Sequence, residues 1–312
     1  VLKTLKKIKK SKNYTIYIIT PSAKNNLREE FFMKKIFAAI ASVSLLLCGC
    51  AANSGNIKTD NNSTTNNTTN VADTTLEARG VGLELSGYDT NAITWGPGNI
   101  KDHARPVDPT NLQEKYGELN GKWLLEDGKN VCLTFDEGYE NGYTAQILDT
   151  LKEKNVQAIF FCTYDYVKDN PELVHRMINE GHIVGNHSYR HYNFTQIDLD
   201  TASDEITILH DYVAEQFGYE MTYFRFPEGA FSEQTLALTS SLGYETLFWS
   251  FAYADWDTSS PPSTDTAYEK ITSSVHNGAI ILLHAVCSSN AEVLGRAIDN
   301  IIEQGYTFTT TV

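Results

Sequence analysis

Residues 131–312 predict an α/β fold whose mainly parallel sheet is closed or nearly closed into a barrel. Three observations carry that expectation. Short runs of β-formers alternate with amphipathic helical stretches. Glycines stand where three of those helices should stop. Charged and imidazole-bearing residues recur at or just beyond the C-terminal ends of the strand-like runs, the rim on which a parallel barrel collects its chemistry.

In chain order, the strand-like runs are 131–135, 158–163, 182–185, 222–226, 245–250, 279–284 and 306–310. Helical stretches fill the gaps: 143–154 (apolar at Ile147, Leu148 and Leu151), 171–180, 199–217, 232–242, 265–276 and 290–304. Pro171 suits a first helical turn, and Gly181, Gly243 and Gly305 suit the position after a last one. Seven strands joined through six helices imply right-handed crossovers between parallel neighbours.

Upstream of this domain the composition changes three times. Residues 76–130 carry scattered aromatics (Tyr88, Trp95, Trp123) and turn signals at Gly96-Pro97-Gly98 and Asp108-Pro109, and read as an irregular segment wrapped on the domain. Residues 51–75 are Asn, Thr, Ser and Asp with almost nothing apolar, which cannot offset the entropy of ordering and so reads as a flexible tether. Residues 33–50 have the form of an export signal, with basic Lys34 and Lys35 before a largely apolar run from Ile36 to Leu47 that is too short to span a bilayer. Leu47-Cys48-Gly49-Cys50 resembles a lipobox, with Cys50 as the residue that would be lipidated and so anchor the chain to a membrane. The start of translation is expected at Met33, because Arg28-Glu29-Glu30 need purine-rich codons where a ribosome-binding site would sit; residues 1–32 would then be untranslated leader.

Charge narrows the partners. Of 25 Lys and Arg and 39 Asp and Glu, ten and two respectively lie in residues 1–50, which leaves a net charge of −22 on the exported part. Such a surface argues against nucleic acid and against charge-driven attraction to a polyanion, so substrate recognition is expected to be local. No protein partner is indicated. Beyond the signal the cysteines are Cys132, Cys162 and Cys287, an odd number without C-x-x-C spacing, which points to neither a disulfide scaffold nor a cysteine zinc site. Cys132 and Cys162 lie in apolar runs as small hydrophobes, and Cys287 is close enough to His284 to line a pocket there.

The candidate chemistry falls at the strand ends: Asp136-Glu137, His187 and His191, Arg225 with Pro227, Asp255-Trp256, and His284. His187-x-x-x-His191 points two imidazoles to one side if it forms a helical or wide turn. Two histidines, one carboxylate and an open position make a hydrolytic zinc site.

These residues carry a resemblance. Thr134-Phe135-Asp136-Glu137-Gly138, His187-Ser188-x-x-His191, Arg225-Phe226-Pro227-Glu228-Gly229, Asp255-Trp256 and Leu282-Leu283-His284 resemble, in order, the five motifs of the polysaccharide deacetylase family (carbohydrate esterase family four, NodB homology domain). The match covers about residues 131–312. Within the family, FDEGYENGYT, EGHIVGNHS, FWSFAYADW and LLHAV resemble the delta-lactam-biosynthetic de-N-acetylases, which act on muramic acid in spore cortex peptidoglycan. The resemblance implies a distorted (β/α) barrel and metal-dependent hydrolysis of an N-acetyl group on a peptidoglycan glycan strand, leading to muramic delta-lactam. It implies a divalent metal, Zn²⁺ first, on His187, His191 and Glu137. Asp136 would be the general base paired with Arg225, and His284 the general acid oriented by Asp255. The Glu228 N–H would stabilise the oxyanion, with Pro227 and Gly229 in the same motif, and Trp256 and Leu282 would wall the acetyl pocket. Glu137 stands where the family has Asp, one methylene shorter, and Glu228 where it often has an aromatic. Two rival readings are an N-acetylglucosamine deacetylase on peptidoglycan or chitin-like oligomers, and a catalytically idle glycan-binding module.

Overall fold

The computed structural model describes residues 85–98 and 100–312. The leader, signal and tether, and the first residues of segment 76–130, lie outside the described residues.

The described elements are α1 (Val107–Tyr116), β1 (Gly121–Lys122), β2 (Asn130–Glu137), α2 (Thr144–Lys154), β3 (Ile159–Cys162), α3 (Tyr164–Asp169), α4 (Pro171–Asn179), β4 (Ile183–Asn186), α5 (Leu199–Phe217), β5 (Tyr223–Phe224), α6 (Glu233–Ser241), β6 (Glu245–Leu247), α7 (Thr264–Ser273), β7 (Ala279–His284), α8 (Ser288–Glu303) and β8 (Thr307–Phe308). Among them, no helix is long and apolar enough to cross a membrane.

The strand order is β1-β6-β5-β4-β3-β2-β7, and every ladder is parallel; β8 pairs with the first residues of β2. Beyond β6 the chain runs on to Phe251, which bridges Ile281 of β7. There the Ser250 N–H donates to Ile280 O at 3.0 Å and the Leu282 N–H to Phe251 O at 2.9 Å. The sheet is therefore curled and half-barrel-like, with its two sides joined by a few bonds in place of a full ladder. That is the distorted α/β barrel expected from the sequence.

Strand alternation divides the core. Val131, Leu133 and Phe135 of β2 face outward and pack with Ile147, Leu148 and Leu151 of α2 in the main cluster. Each of these helix residues is fully buried, worth roughly 1.5–3 kcal/mol against exposure. Cys132 faces inward and joins Ile159, Phe161, Leu247 and Ile280 in a second cluster. Helix ends follow local chemistry: the Asp198 side chain accepts from the Thr201 N–H at 2.7 Å to start α5, and Ser232 and Thr235 form a capping box at α6. Gly181, Gly243 and Gly305 adopt φ of 84°, 86° and 86° just past α4, α6 and α8.

Several elements differ from the sequence reading. Segment 76–130 is not irregular throughout: it contains α1 and supplies β1. The α1 sequence hides its period, because only Pro109 and Tyr116 are buried. Trp123 from this segment is fully buried and stacked on Phe248, ring centroids 4.1 Å apart. The short helix α3 sits directly against α4 with only Asn170 between them, and no period can show in six residues. Strands β5 and β6 stop earlier than their β-rich sequences suggest, because residues 225–229 leave the ladder at the site and residues 250–251 cross to bond with β7.

Candidate active site

Two adjacent strands set the centre. In the β2–β7 ladder Thr134 lies opposite Leu282 and Asp136 opposite His284, so all four share the inward face at the C-terminal end of the sheet. Asp136, Leu282 and His284 line a cleft of about 740 Å³ also walled by Trp249, Trp256 and Val286, with Thr134 buried beneath them.

Asp136 is held by Arg225. The guanidinium donates to Asp136 Oδ1 at 2.7 Å and Thr134 Oγ1 at 2.9 Å from Nη1, to Leu247 O at 2.9 Å from Nε, and to Phe248 O at 3.1 Å from Nη2. Arg225 is fully buried, with its guanidinium carbon 4.1 Å from the centre of the Phe161 ring. Burial pushes the Asp136 carboxyl up, but Arg225, assisted by His187 and His284, outweighs burial and holds it below the usual carboxylate range. Asp136 is thus ionised, with Oδ2 turned towards His187 Nε2 at 3.6 Å.

His284 has the opposite bias. Burial lowers its pKa, but the hydrogen bond and charge of Asp255 prevail and raise it above the usual value. His284 Nδ1 lies 2.7 Å from Asp255 Oδ1, and its backbone N–H donates to Asp255 Oδ2 at 2.8 Å. Asp255 is fully buried and also receives the Asn290 amide at 2.6 Å; Asn290 in turn accepts from the Tyr253 hydroxyl. With Nδ1 engaged, the imidazole presents Nε2 to the cleft. Asn290 and Tyr253 went unnoticed in the sequence; their one signal is proximity to His284 and Asp255.

His187 follows β4, with Nδ1 2.9 Å from Arg225 O, which leaves Nε2 for a ligand. Burial drives its pKa down to about 4 despite Asp136, so the ring is neutral. The stretch from His187 to His191 is a wide turn, not a helix. Ser188 and His191 have φ of 69° and 58°, and the Ser188 hydroxyl accepts the His191 N–H at 2.9 Å. The two imidazole centroids are 4.9 Å apart.

Glu137 does not join them. Strand β2 keeps its geometry through residue 137, so consecutive side chains take opposite faces. Asp136 lines the cleft, while Glu137 enters the outer layer, where Cys162 and Tyr166 lie near it. Both Glu137 oxygens are buried without a hydrogen-bond partner. Burial first, then Glu140 and Asp136, push its pKa well above the usual glutamate value. The expectation of Glu137 as a metal ligand is therefore corrected: an extra methylene cannot turn a side chain through the sheet. Among the described residues no group of three or more His, Cys, Asp or Glu side chains is arranged to hold a metal ion. The histidine pair fits two positions around a divalent cation; the carboxylate expected as the third does not.

The loop after β5 completes the wall. Glu228 lines the cleft at φ 59°, and its carboxylate accepts the Asn193 amide at 2.9 Å. Pro227 is buried. Gly229 has φ 64°, and a Cβ there would lie 2.6 Å from the Trp249 ring, so only glycine fits. Trp95, from the N-terminal segment, locks the loop by donating to Gly229 O at 3.0 Å. Trp256 is 55% exposed with its ring 5.7 Å from His284, and Leu282 lines the cleft beside it. Cys287 is buried and absent from the lining; Val286 takes that place. Tyr139, Asp165, Tyr189 and Arg190 also line the cleft and were missed in the sequence, where nothing marks them out.

The polysaccharide deacetylase family profile matches residues 126–247. The chain is 45% identical over 218 residues to the peptidoglycan-N-acetylmuramic acid deacetylase PdaA of Bacillus subtilis, covering 69% of this chain and 83% of that one. An uncharacterized 30.6 kDa protein of Geobacillus stearothermophilus is 44% identical over 218 residues, covering 69% and 82%. The solved structure of Bacillus subtilis PdaA, a family 4 carbohydrate esterase, superposes with a TM-score of 0.68 at 40% identity, over 71% of this chain and 95% of that one. The similarity to these relatives along most of their length places the chain in the polysaccharide deacetylase family, hydrolases that remove N-acetyl groups from carbohydrates.

Proposed function

We propose that this chain hydrolyses the acetamide of N-acetylmuramic acid in peptidoglycan, releasing acetate and a free C2 amine. The observation that carries the reading is the Asp136–His284 rung: neighbouring groups on adjacent strands, one biased towards its ionised form and the other towards its protonated form. Asp136 Oδ2 takes the proton of the attacking water, and Arg225 keeps that carboxylate charged and fixed. His284 Nε2 protonates the departing amine, and Asp255 stabilises the imidazolium and fixes its orientation. The backbone N–H of Glu228 faces the developing oxyanion. His187 and His191 would hold a divalent cation, Zn²⁺ in this reading, which supplies Lewis-acid polarisation of the acetamide carbonyl and lowers the pKa of water. Trp256 and Leu282 enclose the acetyl methyl.

The choice of muramic acid rests on the similarity to PdaA over most of both chains. Its product places a C2 amine beside the lactyl carboxyl on C3, the pair from which the delta-lactam of spore cortex closes with loss of water. The test is mass spectrometry of glycan strands incubated with the purified chain. Acetyl loss from muramic acid is expected. Loss confined to glucosamine would move the substrate, and loss from neither sugar with any supplied divalent metal would leave a glycan-binding module. The reading also places the protein on the outer face of the cell membrane, tethered through Cys50; Cys50→Ala should then move it from the membrane fraction to the soluble one.

A further inference from the structure

The cleft wall carries three carboxylates and one guanidinium among mostly aromatic, imidazole and apolar side chains. Besides Asp136, the lining includes Asp165 and Glu228, whereas Arg190 is its sole lysine or arginine. In a chain of net charge −14 that position stands out. Arg190 is also built in. Its backbone N–H donates to Glu205 Oε2 at 2.6 Å, and Glu205 is 1% exposed. Its guanidinium carbon stands 4.8 Å from the Tyr189 ring centre and 5.8 Å from that of Tyr192. Its ion pair with Glu205, at 3.7 Å, is longer than a hydrogen bond, and its side chain remains 53% exposed. A planar fork steadied by two aromatic faces and a buried acid, with donors turned to solvent, is prepared for a carboxylate. Arg190 immediately precedes His191, so it flanks the place where the acetamide must sit.

We infer that Arg190 is a specificity-determining residue that binds a carboxylate on the sugar carbon next to the acetamide, the free lactyl carboxylate of muramic acid. This rests on the muramic acid reading and adds to it. A stem peptide turns that carboxylate into a neutral amide, so Arg190 selects glycan stripped of peptide over peptide-bearing glycan, and muramic acid over glucosamine. Asp165 and Glu228 sharpen the choice by repelling anions placed elsewhere along the groove.

The test measures kcat/KM for acetate release from one glycan preparation in two forms, with its lactyl carboxylates free or capped as methylamides. Wild type should prefer the free form. Arg190→Gln should lower kcat/KM on the free form by on the order of tenfold to a hundredfold, chiefly through KM, as loss of a charge-assisted pair requires. The capped form should change by less than about twofold, so the preference collapses. Arg190→Lys should retain part of it. Because the preference is a ratio within one preparation, a partly misfolded variant does not distort it. An Arg190→Gln ratio equal to wild type, or a wild type indifferent to capping, would overturn the inference and leave muramic acid deacetylation standing. No acetyl release from muramic acid in either form would overturn both.

Discussion

Asp136 and Glu137 are neighbours on one strand, and both are buried, yet they meet opposite fates. The Asp136 carboxylate meets a buried guanidinium and two imidazoles and is ionised. Glu137, turned to the outer face, meets no donor and is driven towards its neutral form. Burial acts on both in the same direction. What separates them is the partner across the strand, since desolvation disfavours a charge unless an opposite charge compensates it. A dipeptide of acids therefore denotes one functional group and one structural liability, and strand alternation decides which is which.

The sharpest way to break this contrast is Asp136→Asn, which keeps the shape and removes the base; kcat in acetate release should fall by about 10²–10⁴. Next is Arg225→Gln. It strips the compensating charge from a buried carboxylate, with an expected loss of ~3–5 kcal/mol in chemical denaturation. The acid limb of the kcat/KM profile should also move to higher pH as Asp136 loses the cation that holds its pKa down. Asn290→Ala acts more gently, by loosening Asp255 behind His284. A fall of about tenfold in kcat, about 1.4 kcal/mol of barrier, is expected. The alkaline limb should move to lower pH, because Asp255 is what raises the His284 pKa. The smallest effect should come from Glu137→Gln, measured as stability against pH. The folded state of the wild type keeps a proton on Glu137 that the unfolded chain releases above the ordinary glutamate value. Glu137 therefore makes stability fall as pH rises from that value towards the higher folded one. Glutamine removes the slope, so denaturation at pH 5 and pH 8 should show the variant gaining on wild type at the higher pH.

The fold from residue 131 onward was legible because β-rich runs, amphipathic helices and terminal glycines agree with one another. Helix α1 was not, since only Pro109 and Tyr116 of its residues are buried and two positions leave no period to read. The placement of Asp136, Arg225, His187, His191, Asp255 and His284 on one rim followed from strand ends, a one-dimensional property. Features that depend on distant chain escaped: Trp95 closing the Gly229 loop across 134 residues, Asn290 behind Asp255, and Arg190 beside the buried Glu205. The facing of Glu137 was present in the sequence all along. It needed only the two-residue period of a strand applied to the acid pair, in place of the adjacency of the two letters.

The most direct test of the division between the two carboxylates is the rate of acetate release from muramic acid glycan by Glu137→Gln, measured beside wild type and Asp136→Asn under the same divalent metal. Glu137→Gln should run within about twofold of wild type while Asp136→Asn is all but inactive. A loss in Glu137→Gln as deep as that in Asp136→Asn would place the second carboxylate at the metal and contradict the site described above.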